Sequence, residues 1–144
     1  MNAIVGREGV VGYVPGAWDM FHIGHLNILK RAREHCDWLV AGVVTDEALF
    51  EMKNKYPIVP FDERLEIVAA IGIVDDAVDD HSSNKLQVWE RVHYDVLFKG
   101  DDWRGTAKGK RLERDLATVG ARVQYFPYTL HTSSTELRRV LSEW

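Results

Sequence analysis

Seven consecutive apolar residues, Trp38-Leu39-Val40-Ala41-Gly42-Val43-Val44, stand in the first third of the chain. A strand with one face in water alternates apolar and polar positions, so this unbroken run predicts a central parallel strand covered on both sides. Parallel neighbours need a crossover, usually a helix, and the rest of the chain supplies that alternation. Val10-Val11-Gly12-Tyr13-Val14 reads as a strand stopped by Pro15-Gly16, and Ile23, Leu26, Ile28, Leu29, Ala32 and Cys36 follow at helical spacing. Asp62 to Ile71 reads as a helix with Leu65, Ile67, Val68 and Ile71 inward, and Ala77-Val78 as a short strand. Residues 84–92 read as helix, Val96 to Lys99 as strand, Lys110 to Val119 as a helix ending at Gly120, and Arg122 to Phe126 as the last strand. Ser133-Ser134-Thr135-Glu136 opens a final helix as a capping box, with Ser133 capping and Glu136 reaching back. Thr45-Asp46 ends the apolar run, and Lys53 to Pro60, with Pro57 and Pro60, reads as a loop. The alternation predicts a doubly wound α/β fold around a parallel sheet.

At 144 residues and 46% hydrophobic, the chain is long enough for one buried core and too short for two, so residues 1–144 are expected to form a single domain. No run approaches the roughly 18 apolar residues of a membrane span, and the N-terminus lacks the basic and apolar regions of a secretory signal. A soluble, cytoplasmic protein without a membrane partner is expected. Cys36 is the only cysteine, which excludes a disulfide framework and a thiolate metal cluster and leaves a small packing residue. A net charge of −4 argues against a general nucleic-acid binder, which needs a basic face for phosphates. Asp75-Asp76 and Asp79-Asp80 read as a solvated edge rather than a metal site, and Trp18, Trp38, Trp89 and Trp144 as packing residues or surface anchors.

The chemistry-bearing block is Gly16-Ala17-Trp18-Asp19-Met20-Phe21-His22-Ile23-Gly24-His25, at the junction of the first strand and helix. His22 and His25 fall on one side of a first helical turn, where unpaired backbone N–H groups and the helix dipole favour an anion. Taken alone, H-x-x-H reads equally well as a metal pair or as two surface histidines. Three other segments carry candidates. Lys53 and Lys55, otherwise plain surface lysines, could close over a polyphosphate, and Arg64 could hold phosphate or nucleobase as a planar fork. Lys99 to Gly105 is a turn or a ligand loop, in which Gly100 permits close approach. Thr132, Ser133, Ser134 and Thr135 form an anion cradle at a helix start or simply its cap. In open α/β sheets such strand-end segments converge on one crevice.

The ten-residue block resembles the G-x-[FW]-D-x-x-H-x-G-H signature of the nucleotidyltransferase superfamily that includes the cytidylyltransferases, with Gly16, Trp18, Asp19, His22, Gly24 and His25 in place. The resemblance implies a Rossmann-like sheet. It also implies that His22 and His25 hold nucleotide phosphates and stabilise charge at the α-phosphorus, with Lys53 and Lys55 assisting. Gly16, Ala17, Trp18, Asp19, Gly24 and Arg64 become nucleotide-binding candidates, Asp19 by orienting the site. Gly100-Asp101-Asp102-Trp103-Arg104-Gly105 is similar to the G-D-D-W-x-G of glycerol-3-phosphate cytidylyltransferases. That implies Gly100 and Asp102 at the nucleotide, Asp102 accepting from the cytosine amino group, and Asp101 and Trp103 at the acceptor. Thr132-Ser133-Ser134-Thr135 stands where the family has I-S-T-T or I-S-T-S, whose hydroxyls and backbone N–H groups receive the β- and γ-phosphates. Upstream, the family's R-T-E-G-I-S-T is Tyr128-Thr129-Leu130-His131-Thr132-Ser133-Ser134 here, so Tyr128 replaces a phosphate-binding arginine and His131 is its nearest substitute.

The implied reaction is attack of an acceptor phosphate oxygen on the α-phosphorus of CTP, expelling pyrophosphate. Glycerol 3-phosphate is the leading acceptor. Mg²⁺ is expected on the nucleotide phosphates with no dedicated protein ligands, and a homodimer is implied. The rivals are another base or acceptor (phosphoethanolamine, a sugar phosphate or a flavin) and a nucleotide-binding module without turnover.

Overall fold

The computed structural model describes residues 8–127 and 133–143. Five strands, β1 (Val11–Gly16), β2 (Trp38–Val44), β3 (Asp76–Asp80), β4 (Val96–Gly100) and β5 (Arg122–Phe126), form one sheet in the order β3-β2-β1-β4-β5. Every neighbouring pair is parallel. The helices are α1 (Ile23–Arg33), α2 (Asp46–Lys53), α3 (Phe61–Ala69), α4 (Lys85–Val92), α5 (Ala107–Ala117) and α6 (Ser134–Ser142), with a 3₁₀ turn over Asp101–Trp103. β2 occupies the interior position its apolar run demands, paired with β1 from Val11↔Trp38 to Gly16↔Val43 and with β3 on its other side.

Side chains alternate along the strands and build two cores. Val14, Leu39, Ala41, Val43, Val96 and Phe98 meet Leu29 and Ala32 of α1 and Val68 of α3 on one face. Val11, Tyr13, Val40 and Leu97 meet Val88 and Val92 of α4 and Leu112 and Leu116 of α5 on the other. Gly42 belongs to the second face because a Cβ there would come within 1.8 Å of the Tyr13 hydroxyl. Helix starts are closed by Thr45, Asn84, Thr106 and Ser133, each accepting a backbone N–H of the first turn.

Several expectations are corrected. α2 lies where the sequence reading ended a strand and began a loop: Thr45 stops β2 and at the same time caps a helix that buries Ala48 and Leu49. α5 begins at Ala107, three residues before Lys110. It includes Gly109, whose missing side chain lets the helix approach Trp103, since a Cβ would lie 2.1 Å from that residue's carbonyl oxygen. Ile23 and Ile67 face outward, and the inward place on α3 goes to Arg64, which is fully buried. The acidic row on β3 is not a solvated edge throughout. Asp80 is buried, accepts a 2.5 Å hydrogen bond from the Tyr13 hydroxyl and pairs with Lys85 at 2.9 Å. Burial and that carboxylate raise the Tyr13 pKa well above its ordinary value. Asp75 accepts from the Leu39 amide and pairs with Arg33. Among the described residues no helix is long and apolar enough to cross a membrane.

Candidate active site

The sheet reverses direction between β1, which leads to β2 on one side, and β4 on the other. Crevices at such points collect ligands beyond the strand C-termini. A cavity of about 470 Å³ opens there. Gly16, Ala17, Trp18 and Asp19 line it from the end of β1, and His22, Gly24 and His25 from the start of α1. Lys53 and Lys55 line it from the segment after α2, Lys99 and Gly100 from the end of β4, and Ser133, Ser134, Thr135 and Arg138 from α6. Thr132, Tyr128 and His131 lie outside the described residues.

The two histidines cap their own helix. His22 is extended at the N-cap (φ −141°, ψ −178°), its Nδ1 accepts from the Gly24 amide at 3.0 Å, and His25 Nδ1 accepts from the His22 amide at 3.1 Å. An Nδ1 that accepts leaves the proton of a neutral imidazole on Nε2, so both rings present Nε2–H donors. The rings stack with centroids 3.9 Å apart, and Trp18 meets His25 edge-on at 5.5 Å. Trp18 is buried, anchored by its indole N–H to the Gly42 carbonyl at 2.8 Å. Trp18 and Met20 hold left-handed backbone, φ +56° and +50°, the kind of strain that persists only where surrounding structure enforces it.

α6 closes on this motif. The Ser134 hydroxyl donates to the Asp19 carbonyl at 2.7 Å and lies 3.3 Å from His22 Nε2. The N-termini of α1 and α6 therefore face one point, each with backbone N–H groups suited to an anion. Asp19 is buried, and its carboxylate accepts from the Ile58 and Val59 amides at 2.9 Å each and from Arg138 at 3.0 Å. It thus ties the segment after Lys55 to α6, and its lone pairs are committed to these donors.

Arg64 departs from the role the sequence reading gave it. Its Nε donates to the Val59 carbonyl, Nη1 to those of Ala17 and Val44, and Nη2 to Asp46, all within 2.8 Å. Strand-end carbonyls left without ladder partners absorb the whole fork, so Arg64 supports the cavity from behind and does not line it. Asp101, Asp102 and Trp103 also stand outside the lining: Asp102 is exposed, and Trp103 packs against the α4/α5 core. Lys99 takes the place at the cavity wall, its ammonium 3.9 Å from the centroid of the Trp103 ring. Burial pulls its pKa below the usual lysine value; Asp102 opposes this, and Lys85, Lys53 and Lys108 add to it.

Sequence reasoning missed Lys99 and Arg138. Lys99 was legible as the polar end of the apolar strand Val96-Leu97-Phe98, and Arg138 as the residue one helical turn after Ser134. With Lys53, Lys55, Lys99 and Arg138 around one committed carboxylate, the cavity is built to receive anions.

A family model described as cytidylyltransferase-like matches residues 13–140. The chain is 35% identical over 101 residues to an ethanolamine-phosphate cytidylyltransferase of Arabidopsis thaliana, covering 67% of this chain and 24% of that protein. It is 28% identical over 141 residues to an FAD synthase of Pyrococcus abyssi (strain GE5 / Orsay), covering 96% of this chain and 94% of that protein. It spans a quarter or less of several longer relatives. In fold it is similar to the lipopolysaccharide core biosynthesis protein from Thermoplasma volcanium GSS1, with a TM-score of 0.72, 22% identity, and coverage of 87% of this chain and all of that one. A parallel sheet, a histidine-capped helix at its switch point and a family match over nearly its whole length agree: the chain belongs to the cytidylyltransferase-like family.

Proposed function

We propose that the protein is a nucleotidyltransferase that moves CMP from CTP to a phosphorylated small molecule, glycerol 3-phosphate first among them. The observation that carries this reading is the meeting of His22 Nε2 and Ser134 Oγ at 3.3 Å, which aims two helix N-termini at one place. A triphosphate there receives backbone N–H groups, Nε2–H donors from His22 and His25, and the ammoniums of Lys53 and Lys55. An oxygen of the acceptor phosphate attacks the α-phosphorus, the bond from that phosphorus to the bridging oxygen of the β-phosphate breaks, and pyrophosphate leaves. The acceptor phosphate is ionised near neutral pH, so no general base is needed, and positioning with charge stabilisation provides the catalysis.

Mg²⁺ is proposed to enter on the triphosphate, where it neutralises developing charge. The donor set fits that route: the buried carboxylate of Asp19 is committed to two amides and Arg138, and the remaining groups are imidazoles, ammoniums and hydroxyls suited to phosphate.

Pyrophosphate release from CTP and from ATP, each with Mg²⁺ and with glycerol 3-phosphate, phosphoethanolamine, a sugar 1-phosphate or FMN, tests the reading against controls without acceptor. ATP with FMN belongs in the panel because the FAD synthase relative aligns along almost its whole length. Release with CTP and glycerol 3-phosphate, lost in His25→Ala, is the expected result. Release with another pair alone reassigns the substrates. A CTP-dependent rise in melting temperature with no release from any pair replaces the enzyme with a nucleotide-binding module.

A further inference from the structure

The cavity has a second cationic end that the nucleotide reading leaves unused. Lys99 is half-buried, and among the described residues no carboxylate lies within 4.0 Å of its ammonium. Its neighbour is the Trp103 ring at 3.9 Å, which also carries Lys108 at 5.7 Å. An aromatic face holds an ammonium in place but returns only part of its lost hydration. The like charges of Lys85, Lys53 and Lys108 act on Lys99 as well. A cation in this condition is relieved by an anion entering from the cavity.

Its place in the sheet says which anion. Val96 and Phe98 face α1 and α3, whereas Leu97 faces α4 and α5. By strand alternation Lys99 falls on the α4/α5 side, where its contact with Trp103 puts it. His22, His25 and Ser134 gather at the start of α1, which packs on the opposite face. Both groups line one cavity. In an in-line transfer the attacking and leaving oxygens lie on opposite sides of the phosphorus. With the leaving pyrophosphate at the α1/α6 end, the attacking group arrives from the Lys99 end.

We propose that Lys99, held in position by Trp103, binds a non-attacking oxygen of the acceptor's phosphate and thereby makes the site specific for anionic acceptors. The proposal rests on the nucleotidyl-transfer reading for the identity of the anion's owner. Without such a cation, a phosphate monoester would have to approach a triphosphate against its own charge.

The test reads Lys99 directly and does not require turnover. In phosphate-free buffer the full chain is treated briefly with an amine-acylating reagent, and labelling of each lysine is followed by mass spectrometry. Inorganic phosphate, glycerol 3-phosphate and CTP are added in separate samples, with exposed Lys110 as the internal standard. Labelling of Lys99 is expected to fall about tenfold with either phosphate compound and to stay within about twofold with CTP alone. Protection by CTP alone would assign Lys99 to the nucleotide, protection by none would leave it a packing partner of Trp103, and a Lys99 that resists labelling in the ligand-free protein would remove it from the cavity. Each of these overturns the proposal. Where pyrophosphate release is detected, Lys99→Met is expected to raise the acceptor KM about tenfold to a hundredfold with the nucleotide KM within about twofold, and Lys99→Arg to restore most of it. Equal rises in both KM values would also overturn it. Absence of release from every pair, with Lys99 still protected by phosphate, would reject the enzyme reading alone.

Discussion

Arg64 and Lys99 are both cations drawn toward the interior at the strand C-termini, and they meet opposite surroundings. The Arg64 side chain, fully buried, gives its fork to three carbonyls and a carboxylate. Lys99, half-buried, rests against an indole and has no counter-ion within 4.0 Å among the described residues. Position along the sheet does not distinguish them, because both stand near the same crevice. Satisfaction does. A charge whose bonds are all met by the chain holds the chain together, while one left partly met is available to something that arrives later.

The largest expected effect is on the saturated side. Arg64→Met leaves the carbonyls of Ala17, Val44 and Val59 and the Asp46 carboxylate without their donor, and should lower the unfolding free energy in urea by about 3–5 kcal/mol. His25→Ala comes next and moves a different quantity. Turnover should fall about 10²–10³-fold while the urea midpoint shifts by the equivalent of about 1 kcal/mol or less, the size of a lost cap. Lys99→Met, the direct counterpart of Arg64→Met, should change the unfolding free energy by no more than about 0.5 kcal/mol, because no bond to the chain is broken. A loss as large as that of Arg64→Met would erase the distinction between the two cations.

The pH dependence of Lys99 sharpens the contrast further. Burial, together with Lys85, Lys53 and Lys108 and against Asp102, lowers its pKa, so its charge is present at low pH and is lost on raising pH before that of an ordinary lysine. Acceptor KM measured through the alkaline range should therefore rise earlier in the native protein than in Lys99→Arg, whose guanidinium stays charged. The smallest effect belongs to the outward-facing Ile67 of α3: Ile67→Ser should alter stability by about 0.5 kcal/mol or less, in contrast to Arg64 three residues earlier.

The same contrast explains what could be read in advance. The uninterrupted apolar run gave β2 its limits and its interior place, and β5 follows Arg122 to Phe126 as its alternation predicts. Local chemistry also disclosed the histidine-bearing turn, because strand, glycine, histidines and helix adjoin in the chain. α2 escaped notice because Thr45-Asp46 serves both as a strand stop and as a helix start, and the helix it opens is short. Arg64, Asp80 and Lys99 could not be assigned from their neighbours in sequence. Their roles depend on carbonyls, hydroxyls and rings brought from other strands: Val44 to Arg64, Tyr13 to Asp80 and, across the 3₁₀ turn, Trp103 to Lys99. Periodicity reports which face a residue occupies and is silent about what waits there.

Asp19 sets a schedule for the molecule. Its carbonyl waits for the hydroxyl of a residue 115 positions later, and its carboxylate for a guanidinium 119 positions later. While the chain is being synthesised, the sheet strands and both histidines exist well before the wall that faces them. A product released before α6 keeps most of the core yet has an open-sided cavity in which Ser134 and Arg138 are missing. The hallmark motif near the start of the chain therefore becomes a working site only when the last helix has been made and has docked, so a prematurely ended product can be well folded and still silent.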